Sequence, residues 1–145
     1  MIEVTGLTKI YGTFAAVTDL SFQVKSGEVL GLVGPNGAGK TTTLRCAVGI
    51  IPPARGEIRI DGHSLLESPL EAKRLISFMP DEPRLFDYLT VMEHLQFTAR
   101  VYGVRDFEIK AAQLLEELEL SEKKNATPSE LSRGMKQKLV IACGL

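Results

Sequence analysis

Gly34-Pro35-Asn36-Gly37-Ala38-Gly39-Lys40-Thr41 sets two glycines, a lysine and a hydroxyl residue at the spacing G-x-x-x-x-G-K-[ST]. That spacing suits the cradling of nucleotide phosphates. Glycines let the backbone curl until successive N–H groups point at one anion. A helix that starts directly after the loop adds its positive N-terminal end. Lys40 then reaches the outer phosphates, and the Thr41 hydroxyl is available to Mg²⁺. A Gly-rich strand-to-helix turn with no ligand is the plainer reading, but the lysine and hydroxyl at fixed spacing argue against it.

The flanking residues predict the elements that must hold this loop. Val29-Leu30-Gly31-Leu32-Val33 is an apolar run of the length of a buried strand, and Thr41 to Val48 suits a helix that ends near Gly49. Upstream, Val4 to Tyr11 and Ala15 to Val24 read as strands punctuated by Gly12-Thr13 and Ser26-Gly27. Downstream, Pro52-Pro53 bars helix continuation, and the segment from Gly56 to Gly62 alternates polar and apolar as a half-buried strand does. Leu75 to Met79 is a further strand candidate that stops at Pro80.

From Thr90 the apolar period changes to about 3.6 residues. Thr90 and Glu93 form a capping box for a helix that runs to about Tyr102 and stops at Gly103. A second helix starts at Asp106 and carries Phe107, Ala111, Leu114, Leu115 and Leu118 on one face; a third starts near Ser132. His94 and His63 read as packing or surface residues.

The chain has 145 residues, 44% of them apolar and 24% charged, which suits a globular protein with a real core. A net charge of −1 offers no electrostatic footprint for nucleic acid. There is no apolar stretch of the roughly 20 residues that span a bilayer and no signal peptide at the N-terminus, so a cytoplasmic location is expected. Cys46 and Cys143 lack metal-ligand spacing and read as reduced core residues.

Leu131-Ser132-Arg133-Gly134-Met135 is the second informative segment. A serine N-cap followed by a glycine makes a second helix N-terminus open to phosphate, or simply a capped surface helix. Together with the phosphate loop upstream, the segment resembles the ATP-binding subunit of ABC transporters along the whole chain. It looks like the family's L-S-G-G-Q signature loop, with Arg133 and Met135 as departures. The resemblance implies an α/β fold: a P-loop NTPase core with an antiparallel β subdomain and a helical subdomain, the C-terminal part of the core missing. Residues 1–85 would hold the β subdomain and phosphate-loop core, and residues 88–135 the helical subdomain.

The resemblance further implies ATP and Mg²⁺ as ligands. Gly34, Pro35, Asn36, Gly37, Ala38, Gly39, Lys40, Thr41 and Thr42 would hold the phosphates. Tyr11 would stack on adenine, or else is a strand-end tyrosine packed on the sheet. Asp81 stands where the family carries a glutamine near Mg²⁺ and the attacking water; with Thr41 it is the metal candidate, or else it is a solvated turn acid. Ser132, Arg133, Gly134 and Met135 would meet the ATP of a second ATP-binding subunit in a head-to-tail dimer. An integral membrane transporter subunit is the implied partner and nucleic acid is not, which places the protein peripherally on the cytoplasmic face of the membrane. The texture of residues 90–103 resembles subunits that serve exporters of drugs, lipids or polysaccharides.

No Asp, Glu or His follows Glu130. The family's Mg²⁺-binding Asp, catalytic Glu and switch His are therefore not among these residues, and the chain is expected to be the N-terminal portion of such a subunit, with weak binding, little turnover and an exposed apolar last helix. A non-hydrolysing nucleotide-binding or regulatory subunit is the alternative. A soluble ABC ATPase acting on ribosomes or DNA would show two ATP domains or a long insertion, and a small-molecule kinase would not explain Leu131 to Lys138.

Overall fold

The computed structural model describes residues 1–145 and divides into two compact units, Met1–Ser77 and Phe78–Leu145. In the first, β1 (Ile2–Tyr11) and β2 (Phe14–Val24) form a hairpin, with Tyr11 opposite Phe14 and Ile2 opposite Val24. β3 (Arg55–Ile60) pairs with the other edge of β1 and carries the short β4 (His63–Ser64), so the sheet is antiparallel in the order β2-β1-β3-β4. β1 and β3 approach unusually closely: a Cβ on Gly56 would stand 2.5 Å from the carbonyl of Gly6, so only hydrogen fits there.

Helix α1 (Lys40–Ala47) contributes Cys46 to a core that contains Val4, Leu7, Val17, Ile58 and Ile60. Helix α2 (Pro69–Lys73) closes it with the fully buried Ala72. The sequence reading missed α2, although Ser68 followed by Pro69 at the first helical position and Glu71 in the first turn is a start signal. Cys46 and Cys143 are free, and burial pushes both thiols above the ordinary pKa.

Two strand expectations are corrected. Residues 28–33 and 75–79 have no regular structure, and Val29 and Val33 are 99% and 93% exposed. Uniformly apolar runs suit strands covered on both faces. Such a run becomes a strand only when neighbouring edges accept its N–H and C=O groups, and neither run has a ladder partner.

The second unit is helical: α3 (Val91–Tyr102), α4 (Phe107–Glu117) and α5 (Arg133–Gly144), with 3₁₀ turns at Ser121–Lys123 and Pro128–Glu130. The capping box of α3 forms as expected. The Thr90 N–H and hydroxyl donate to the Glu93 carboxylate at 2.7 and 2.9 Å, and the Glu93 N–H donates to Thr90 Oγ1 at 3.2 Å. Those donors, the backbone N–H first, hold the Glu93 carboxyl below its ordinary pKa. The apolar periodicity becomes a core of Val91, Leu95, Ala111, Leu115, Leu120, Leu131, Leu139 and Ala142. The last helix is therefore not the unpartnered apolar helix expected from its composition: Leu139 is completely buried and Ala142 nearly so, Val140 and Ile141 are half-buried, and Leu145 is the one large apolar residue left strongly exposed.

His94 is a packing residue, and its role is specific. Nδ1 lies 2.8 Å from the Thr90 carbonyl oxygen, and Nε2 accepts the Phe86 N–H at 2.9 Å. With one nitrogen donating and the other accepting, the ring is the neutral Nδ1–H tautomer. Its face meets Phe86, which in turn meets Phe97 edge-on at 5.3 Å. The His94→Ala variant is expected to lose about 1–3 kcal/mol, the cost of leaving a partly buried N–H unpaired. Denaturant unfolding would measure the loss, together with faster hydrogen exchange at Phe86.

Candidate functional site

The loop from Gly34 to Gly39 curls through an Ala38 N–H to Pro35 carbonyl bond of 3.3 Å and runs directly into α1. Gly39 is the N-cap of that helix, with φ of 83°. A Cβ at Gly39 would stand 2.4 Å from the Ala16 carbonyl oxygen and 3.1 Å from Val17 Cγ2. The start of α1 is thus pressed against β2, and only glycine permits that distance. The first backbone bond into the helix is Thr43 N–H to Gly39 carbonyl at 2.8 Å, so the N–H groups of Lys40, Thr41 and Thr42 precede the intrahelical ladder. No acidic residue stands in the first turn to compete for them.

Lys40 Nζ donates to the Gly34 and Pro35 carbonyl oxygens, both at 2.7 Å. The ammonium therefore spans the loop it follows, pinned by two of its three donors, and the third remains for an outer ligand. Of the hydroxyls that follow, Thr41 is exposed, Thr42 is half-buried and Thr43 is buried. The threonine at the motif position is the one at the surface. A curled glycine loop whose Gly39 admits no Cβ, helix N–H groups, one ammonium and an accessible hydroxyl together fit a Mg²⁺-bound polyphosphate. Nowhere in the chain do three or more His, Cys, Asp or Glu side chains gather to hold a metal ion, so any Mg²⁺ at this loop would take ligands from phosphate as well as from Thr41.

Tyr11 ends β1 on the hairpin whose other strand touches Gly39. It pairs with Phe14, two residues from Ala16. It is 48% exposed, and the Lys9 ammonium lies 5.3 Å from its ring centroid. Sequence reasoning overlooked Lys9, although lysine and tyrosine two apart on a strand were a signal that both could face one side.

In the second unit, Leu131 is buried and anchors the loop, and Ser132 caps α5 by accepting the Met135 N–H at 3.3 Å. Arg133 and Gly134 are exposed, Met135 is half-buried, and a Cβ on Gly134 would meet nothing within 4 Å. No packing within the chain requires glycine at 134. The preceding turn is braced by Glu130, which accepts the Thr127 N–H at 2.8 Å and the Thr127 hydroxyl at 3.0 Å; these donors, the N–H first, lower its pKa. Asp81 is an exposed loop residue of the same unit and makes no side-chain hydrogen bond or ion pair. No helix is long and apolar enough to cross a membrane.

A phosphate-cradling loop between a strand hairpin and a helix, with a capped helix start after a small helical core, defines a P-loop nucleotide-binding architecture. The profile described as ABC transporter matches residues 17–145, and the chain belongs to that family. It is 40% identical over 144 residues to the SkfA peptide export ATP-binding protein SkfE of Bacillus subtilis, covering 98% of this chain and 59% of that protein. A solved ATP-binding subunit of an ABC transporter superposes with a TM-score of 0.91 at 36% identity, over 99% of this chain and 61% of the other. A dimeric ATP-binding cassette in a post-hydrolysis state, bound to ADP and Pi, superposes with a TM-score of 0.86 at 25% identity, over 100% of this chain and 69% of the other. The chain thus spans about three-fifths of the length of relatives that it matches from end to end, and its fold is that of the ABC ATPase, with the antiparallel β and helical subdomains the sequence implied.

Proposed function

We propose that this chain carries the ATP-binding part of an ABC exporter subunit. Gly34 to Thr42 hold the triphosphate, and Tyr11 carries the adenine. The carrying observation is Gly39, whose missing side chain lets the N-terminus of α1 close against β2 while Lys40 spans the loop. Lys40 and the loop amides neutralise phosphate charge. The Thr41 hydroxyl would hold Mg²⁺, which would supply Lewis-acid polarisation of the phosphate oxygens.

Two copies pair head to tail, and Ser132, Arg133, Gly134 and Met135 of one approach the ATP of the other. The open surface at Gly134 supports this reading, because it leaves room for a ligand that the chain's own packing does not use. Nucleotide binding closes the pair and biases a two-state element that a membrane subunit reads, so the protein works peripherally at the cytoplasmic face. Export follows the name of the peptide-export relative.

Calorimetry with Mg-ATP, Mg-ADP and AMP tests the reading. Binding of the first two and not of AMP is expected, because the loop contacts lie at the outer phosphates. Equal affinity for all three would overturn it.

A further inference from the structure

Lys9 is used by none of the roles assigned above, yet its ammonium is held in one place. Nζ donates to the Pro52 carbonyl oxygen at 2.7 Å and stands 5.3 Å from the Tyr11 ring centroid. The side chain is half-buried, and its cross-strand partner is Val17. Residues paired across an antiparallel ladder share a face of the sheet. Val17 Cγ2 is one of the atoms against which Gly39 is pressed. Lys9 therefore sits on the face that carries the start of α1, with one face of the Tyr11 ring against its cation and about half of the tyrosine still exposed.

We propose that Lys9 is a positioning residue for base recognition: tethered to the Pro52 carbonyl, it holds the Tyr11 ring and draws charge from one π face so that the other stacks on a purine. The inference rests on reading Gly34–Thr42 as the phosphate loop and Tyr11 as the base platform. The attraction of an ammonium to a partly exposed tyrosine face gives a modest expected effect, about a two- to fivefold loss of affinity.

The test compares ATP with inorganic tripolyphosphate, which has no base, by calorimetry on the whole chain, its Lys9→Met and Lys9→Arg variants, Tyr11→Ala, and the Lys9→Met/Tyr11→Ala pair; thermal melts confirm that each is folded. The expected result is that Lys9→Met weakens ATP about two- to fivefold and leaves tripolyphosphate unchanged. Lys9→Arg restores ATP affinity, and Lys9→Met adds no loss once Tyr11 is alanine. Unchanged ATP affinity in Lys9→Met overturns the proposal. So does an equal loss for ATP and tripolyphosphate, which would make Lys9 a brace for Pro52 alone. A wild-type chain that binds tripolyphosphate as tightly as ATP overturns the base-platform step and leaves the phosphate loop standing. Binding of neither ligand overturns the phosphate-loop reading itself.

Discussion

Gly39→Ala is expected to abolish nucleotide binding and to destabilise the Met1–Ser77 unit by about 2–5 kcal/mol, the sum of left-handed backbone strain and a forced shift in packed structure. The strain arises because φ is 83°, a conformation costly for any residue with a Cβ. The forced shift is the larger part. The nearest atom to the new methyl is the Ala16 carbonyl oxygen at 2.4 Å, a backbone atom of a paired strand that cannot swing away as a side chain could. Relief requires α1 to lift from β2, which moves the N–H groups of Lys40, Thr41 and Thr42 away from the loop. Gly37→Ala is the control. It has a similar φ of 84° but open space around its Cβ position, so it bears strain without collision. Thermal unfolding and ATP titration of the two variants side by side would check this. Equal damage from both would mean that loop conformation, and not the contact with β2, makes the site.

Lys40→Ala should separate binding from stability. Its ammonium bonds two carbonyls of its own loop, but both are exposed and water can replace it there, so the melting temperature should move little. Charge-assisted bonds to a polyphosphate are the strong ones. Losing them in a loop whose only cationic side chain is Lys40 should weaken Mg-ATP about 30- to 1000-fold, the equivalent of about 2–4 kcal/mol. AMP, which lacks the outer phosphates, should show no such dependence on Lys40. A melting temperature that collapses with affinity would show instead that the lysine chiefly props the loop.

These expectations start from residues that stand next to one another in the chain. Gly34 to Thr41 could be read directly because a phosphate cradle is built from consecutive backbone amides, and their type and spacing are local properties. Helices α3, α4 and α5 were legible for a similar reason. Thr90, Glu93 and Ser132 cap through bonds that span three residues, and a 3.6-residue apolar period states which face is buried. Family membership was also legible, since the phosphate loop and Leu131 to Met135 are both contiguous words.

Tertiary structure decided what depends on partners distant in sequence. Whether Val29 to Val33 and Leu75 to Met79 become strands is set by the edges beside them, and nothing within an apolar run names its neighbour. Composition made the last helix look exposed, but only packing shows Leu139 in the core beside Leu115 and Leu120. His94 owes its tautomer to Phe86, eight residues away across a loop. Sequence alone therefore determined that the chain belongs to the ABC transporter family and carries the G-x-x-x-x-G-K-[ST] loop. Only the fold decided why Gly39 must be glycine and what tethers Lys9 beside Tyr11, because the Ala16 and Pro52 carbonyls that they meet come from segments distant in sequence.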